Sequence, residues 1–348
     1  MPFSDWKKVL LVDLGFLGDT VHSVPAIRAL AQAGIRVDVV TTAVGAEILA
    51  LVPEVGRTWV VPLRKPSPPP WKNLGMLLQI RREKYDAALT LSSAERNLFM
   101  TALSGATERV GVIGRNKWWF LFLPLSRQLS SPKRDQQLYQ QRLDLLEQMG
   151  WKGSNPGWAW KIPEAADVSR QRIIGQRHVY LSVSAFGSPL KEWPLMLWAK
   201  ALQLVWQKSP ELKFIVGFAD NPREKERALQ LADMTRNSRQ LQILDSPLTL
   251  ALLAALLKKA DLFAGLDSGI LHLAVALGKP SVSVFRDYAG QKEWAPVGQN
   301  YRILSRPCEC DRLRKNLCGV EARCLAGITP EEVGDAMVEL LSLKPERG

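Results

Sequence analysis

The stretch with the most chemistry in it is Asp267-Ser268-Gly269-Ile270-Leu271-His272, inside DLFAGLDSGILHLAVALGKPSVSVF at 261–285. Leu262 to Leu266 reads as a strand, Asp267-Ser268-Gly269 as a tight turn, Ile270 to Leu277 as a short helix and Ser281 to Phe285 as a second buried strand. Two apolar strands joined by so short a helix form a parallel βαβ unit, and its turn leaves free backbone N–H groups at a helix N-terminus. Such a turn suits an anion of phosphate size. Asp267 ends the strand and His272 lies five residues on, so both can face what the turn holds. Two readings are open. Capping accounts for Asp267 or Ser268, and His272 can be a satisfied core histidine. Capping does not account for glycine beside them, or for one of the chain's three histidines on the same turn.

Two other positions carry charge where an α/β sheet binds ligands. The opening strand KKVLLVD (7–13) runs into Gly15-Phe16-Leu17-Gly18-Asp19, which puts an acid at the mouth of the sheet. The glycines do not complete G-x-G-x-x-G, so a dinucleotide reading is weak, although Asp38 has the place of a ribose acid. Lys191, in the loop AFGSPLKEWP after strand His178 to Ser184, is either a solvated loop lysine or a cation that neutralises phosphate.

The elements that must hold these residues follow an alternating β/α pattern. A helix from Thr20 to Ala33, ended by Gly34, precedes strand IRVDVVTT; helix Asn73 to Arg82, strand Ala87 to Leu91 and helix Gln136 to Met149 follow. The Gly/Pro/Trp-rich segment Trp151 to Ile162 reads as a linker, with a helix from Ala165 to Gly175 after it. The second half repeats the pattern: helix Leu195 to Gln207, strand Leu212 to Phe218, helix Asn221 to Met234, strand Leu241 to Leu244, helix Thr249 to Lys259 and a capped last helix Pro330 to Leu343. At 348 residues the chain suits two α/β domains, and 47% hydrophobic residues give each a core. No apolar run reaches the ~18 residues of a membrane span, so the expected location is cytoplasmic or peripheral on a cytoplasmic membrane face.

The net charge is +12 and uneven. Arg57 to Arg82 and Arg109 to Arg134 each hold six basic residues and no acid, and the other 34 basic residues balance the 34 acidic ones. Arg64, Lys65, Arg115 and Lys117 belong to these stretches, so an anionic partner is expected to meet the first half. RKPSPPPW (64–71), with four prolines, is a stiff basic loop. Lys117 to Phe122 reads equally as a lipid-headgroup surface or as an interior strand. Cys308, Cys310, Cys318 and Cys324 lack a C-x-x-C pair; they are thiols of a folded loop or ligands of a structural ion.

Taken together, Gly18-Asp19 with His22, Pro25, Ala26 and Leu30, then Lys191-Glu192-Trp193-Pro194, then Asp267-Ser268-Gly269-x-x-His272-x-Ala274-x-Ala276-Leu277-Gly278-x-Pro280, then the cysteine segment and ITPEEV, resemble the bacterial lipopolysaccharide heptosyltransferases. The resemblance spans nearly the whole chain. It implies an α/β fold of GT-B type, with Rossmann-like domains at 1–160 for the acceptor and 161–348 for the nucleotide sugar facing each other across a cleft. The last helix would pack back on the first domain. The implied reaction is inverting transfer of heptose from ADP-heptose to the lipopolysaccharide inner core. Asp19 would act as general base, Lys191 with Ser268 and Gly269 would hold the diphosphate, and Asp267 and His272 would shape that pocket. Glu224 is a candidate for the nucleoside ribose. Arg64, Lys65, Arg115 and Lys117 would meet the Kdo and phosphate charges of the acceptor at the inner-membrane surface. No cofactor is expected, because the ADP-sugar is a substrate; the implied transfer is metal-independent, and no nucleic-acid partner is expected.

This sequence departs from the family pattern twice. Asp13 stands where relatives carry a basic residue, and Arg286-Asp287-Tyr288 replaces a Gly-x-Thr turn, so Arg286 would meet the phosphates as a charge. A nucleotide-sugar epimerase of the same fold would leave the basic half unexplained. A nucleic-acid-binding protein would leave the Asp267 turn without a task.

Overall fold

The structure, a computed structural model, describes residues 3–63, 73–113, 123–133, 135–163, 177–185, 189–236, 238–288, 290–308 and 323–343. The chain divides into two units, Met1–Lys161 and Ile162–Gly348.

The first unit is built on β1 (Lys8–Asp13), α1 (Leu17–Gln32), β2 (Arg36–Thr41), α2 (Ala43–Leu49), β3 (Val55–Val60), α3 (Leu74–Arg82), β4 (Ala87–Leu89), α4 (Glu95–Leu103), β5 (Glu108–Val112), β6 (Arg127–Leu129) and α5 (Leu138–Met149). Its strands are all parallel in the order β3-β2-β1-β4-β5-β6. In β1 the run Val9 to Asp13 is buried at every position, because helices cover both faces of a parallel sheet.

The second unit repeats the plan with β7 (His178–Leu181), α6 (Leu195–Lys208), β8 (Lys213–Val216), α7 (Pro222–Met234), β9 (Leu241–Ile243), α8 (Leu250–Lys259), β10 (Leu262–Leu266), α9 (Gly269–Ala276), β11 (Ser281–Val284), β12 (Tyr301–Leu304) and α10 (Pro330–Ser342). The order β12-β11-β10-β7-β8-β9 is the same winding. In each sheet the strand order reverses beside the unit's first strand, at β1/β4 and at β7/β10, and ligands of doubly wound sheets bind at the carboxyl ends there. Trp193 and Trp198, both fully buried and edge to face, fill the second core; Trp193 Nε1 donates to the Ile328 carbonyl at 3.2 Å. α10 packs on α6.

Several expectations change. α1 begins at Leu17, not Thr20, so Gly18 and Asp19 belong to its first turn rather than to the loop. Residues 151–161 are no free linker: they strap the first unit, with Lys161 N donating to the Leu51 carbonyl at 2.7 Å and Arg28 bonded to the Pro156 carbonyl. Pro25 lies inside α1 and has no N–H, so the Val21 carbonyl lacks its helical donor. Trp158 Nε1 supplies that donor at 2.9 Å. The edge strands β6 and β12 were not expected.

Part of the positive excess is structural. Arg57 pairs with Glu83 at 2.9 Å, Arg81 Nε donates to the Leu103 carbonyl at 3.0 Å and Arg109 Nε to the Pro124 carbonyl at 2.6 Å, while Arg127 bonds to the Gln148 carbonyl. Arg64, Lys65, Arg115 and Lys117 lie outside the described residues, as do the expected helix 165–175, Cys310 and Cys318. Among the described residues, no helix is long and apolar enough to cross a membrane.

Candidate active site

At the first switch point the chain leaves β1 through Asp13-Leu14-Gly15-Phe16. Asn97 of α4 fixes this exit: its side chain accepts from Leu14 N at 3.2 Å and donates to the Val12 carbonyl at 3.3 Å. A side chain at Gly15 would meet Cβ of Asp19 at 2.3 Å, so the glycine is what allows Asp19 to fold back over the loop. Asp19 then accepts from Phe16 N at 2.9 Å, as an acid at the third helical position does.

Beneath it lies a charge network. Asp13 accepts from Gly15 N at 3.1 Å and from Ser23 Oγ at 2.6 Å. Arg142, buried on α5, places its guanidinium 3.7 Å from Asp13 Oδ2 and 3.8 Å from Asp19 Oδ1, and bonds to Ser23 Oγ and the Asp19 carbonyl. Burial pushes the Asp19 carboxyl above its ordinary value; Arg142 pulls it down, and the neighbouring Asp13 pushes it further up. His22, one turn along α1, stacks on Tyr139 with ring centroids 6.1 Å apart.

At the second switch point Lys191 closes a short 3₁₀ turn and reaches across to Asp267 at the end of β10, with Nζ 2.6 Å from Oδ2. The next residue anchors this loop. Glu192 accepts from Ala185 N at 3.0 Å, takes Arg223 at 2.7 and 2.8 Å, and pairs with Arg227 at 3.1 Å. Trp193 is buried behind it and Pro194 caps α6. In Lys-Glu-Trp-Pro one residue therefore faces the site and the other three hold it there.

Tyr288 donates to Asp267 Oδ2 at 3.2 Å, and its ring lies 5.7 Å from Lys191 Nζ. Burial drives the Tyr288 hydroxyl well above its ordinary range, and Asp267 adds to this, so it stays a donor. His272 Nε2 is 4.0 Å from Asp267 Oδ1. Burial lowers the His272 imidazole to about 4 against the pull of Asp267, so at neutral pH the two form no ion pair. Ser268 precedes α9 in an extended conformation, and its buried hydroxyl has no partner among the described residues. Lys191 thus pairs with the residue that directly precedes Ser268 and the α9 N-terminus, and a helix N-terminus favours an anion.

Glu224 is in the first turn of α7, where Oε2 accepts from Ala219 N at 3.0 Å while the buried Oε1 has no partner among the described residues. Arg286 follows β11, partly buried. Among the described residues no cluster of His, Cys, Asp and Glu has metal-site geometry. The sequence reading missed Arg142, Ser23 and Tyr288. Arg142 left one signal: it is an arginine on the face of α5 that buries Leu143, Leu145, Leu146 and Met149.

Residues 76–322 match the sequence profile of Glycosyltransferase family 9 (heptosyltransferase). Lipopolysaccharide heptosyltransferase 1 of Pseudomonas aeruginosa is 25% identical over 370 residues, which covers 97% of this chain and 99% of that protein. Among solved structures, Escherichia coli heptosyltransferase WaaC with ADP-2-deoxy-2-fluoro heptose superposes with a TM-score of 0.72 at 21% identity, covering 95% of this chain and 99% of that one. The glycosyl transferase family 9 structure from Veillonella parvula gives a TM-score of 0.81 at 19% identity, with 98% of each chain covered. The fold is that of these two-domain GT-B enzymes.

Proposed function

The chain belongs to glycosyltransferase family 9, the heptosyltransferases, and we propose that it moves a heptose from ADP-heptose to the inner core of lipopolysaccharide in a single inverting displacement. The observation that carries the donor half is the Lys191 cation paired with Asp267 next to the α9 N-terminus, where the Ser268 hydroxyl has no partner among the described residues. The nucleotide-sugar complex of the Escherichia coli relative supports the same donor.

In the reaction, an acceptor hydroxyl gives its proton to Asp19 as its oxygen bonds to the anomeric carbon. The bond from that carbon to the ADP oxygen breaks, and the electron pair leaves with ADP. The anomeric carbon gains oxocarbenium character on the way, so negative charge is needed on the acceptor side and positive charge on the leaving side. Lys191, Gly269 N–H and the Ser268 hydroxyl meet the diphosphate, with Arg286 as a further cation. Asp267 and His272 shape that pocket, and the spare Glu224 oxygen accepts from ribose hydroxyls. Arg64, Lys65, Arg115 and Lys117 attract an acceptor that carries Kdo carboxylates and phosphates at the cytoplasmic face of the inner membrane. The nucleotide sugar is consumed as substrate, and no separate cofactor is assigned.

Calorimetric titration with ADP, UDP and a short DNA duplex at moderate salt tests this. Saturable ADP binding that weakens in Lys191→Ala and Asp267→Ala is the expected result. UDP binding in its place overturns the heptose donor, and binding of DNA alone overturns the enzyme.

A further inference from the structure

Asp13 puts a second carboxylate beneath Asp19, and a like charge nearby opposes ionisation of Asp19. The buried guanidinium of Arg142 answers that problem. It touches Asp13, Asp19, Ser23 and the Asp19 carbonyl at once, although it comes from a helix more than a hundred residues later in the chain. Its fork spans the two acids, which an ammonium on a flexible stem would not do. We infer that Arg142 is the positioning residue of the transfer: it pairs with Asp13 and thereby leaves Asp19 as the one net negative charge at this switch point, aimed at the acceptor hydroxyl.

This inference rests on the reading of Asp19 as the base. The network has the layout such a role requires. Asp13 is pinned from two sides, by Gly15 N and Ser23, so it cannot swing away from the guanidinium. Asp19 is held by Phe16 N through one oxygen, Oδ2, while Arg142 approaches the other from below. Of the elements packed on α1, β1 presents Asp13 and α5 presents Arg142 and Tyr139. Asp38 on β2 is bonded to Tyr85 and to Arg57 N, Glu47 on α2 is exposed, and His22 on α1 itself stacks on Tyr139. Asp13 and Arg142 are therefore the two charges that set Asp19, and they act in opposite directions.

The test is to follow the Asp19 carboxyl by 13C NMR titration, together with the pH profile of kcat/KM, in the wild-type enzyme and in Asp13→Asn, Arg142→Gln and Arg142→Lys. Asp13→Asn removes the like charge, so the titration and the acid limb of activity move to lower pH. Arg142→Gln removes the opposite charge, so both move to higher pH, and turnover at neutral pH falls about tenfold or more. Arg142→Lys keeps the charge without the fork and falls between. Should Arg142→Gln not fold, Asp13→Asn and Arg142→Lys still decide the matter. Midpoints that stay in place in these variants overturn the role of Arg142. The base reading fails separately: if Asp19→Asn turns over normally, Asp19 is not the base, and the NMR midpoints report on the network regardless.

Discussion

The two sheets have the same strand order, and each carries an acid and a cation at its switch point, yet the pairs are built in opposite senses. In the first unit the acid Asp19 retains 29% side-chain exposure, and its cation Arg142 retains 3%. In the second unit the acid Asp267 retains 4%, and its cation Lys191 retains 36%. The accessible member differs: a carboxylate in one case and an ammonium in the other. A buried partner can only hold and tune; the exposed one can exchange its contact for a substrate. On the proposed reading, one arrangement of opposite charges serves as a proton acceptor in one unit and an anion receptor in the other, according to which residue is sealed in.

This contrast breaks most visibly at the exposed acid. Asp19→Asn is expected to lower kcat by about a hundredfold or more while the ADP dissociation constant stays put; unchanged turnover in a stopped assay would end the comparison. The buried neighbour of the second pair, His272, shows itself in stability instead. His272 is held near 4 when folded and returns to an ordinary value near 6.5 when unfolded, so its contribution is complete above that value and is lost as pH falls toward 4. Urea unfolding across this window should show a loss of about 3 kcal/mol that His272→Gln removes. Lys191→Ala should weaken ADP binding about tenfold in calorimetry, the scale of one charge-assisted contact, and equal affinity in wild type and variant would sever Lys191 from the donor. Arg64→Ala with Lys65→Ala should raise the acceptor KM by a factor of a few and leave ADP affinity alone. A reversed pattern would exchange the roles of the two units.

Much of this was legible in the chain. Parallel βα units announce themselves through short apolar runs alternating with helical periodicity, and the turns after β1 and β10 stood out because charged residues interrupt apolar ones. What stayed hidden had physical causes. The edge strands β6 and β12 read Arg-Gln-Leu and Tyr-Arg-Ile-Leu and are only partly buried, so no apolar run betrays them. Arg142 and Tyr288 act through contacts with residues far away in sequence, and local spacing holds no information about such partners. Asp19 stood out in the sequence as a charged residue, but its place in the helix did not. The acid accepting from Phe16 N begins α1 a turn earlier than helix propensity suggests, and Gly15 clears the room for it.

Trp158 gives the first unit an order of assembly. Pro25 leaves α1, the helix that bears Asp19, one donor short, and the missing donor arrives from a residue only three positions before the unit ends. Arg142 likewise arrives late. As the chain leaves the ribosome, every strand of the first sheet emerges before Arg142 and Trp158 do, so the partners that seat Asp19 and complete α1 are the last to arrive.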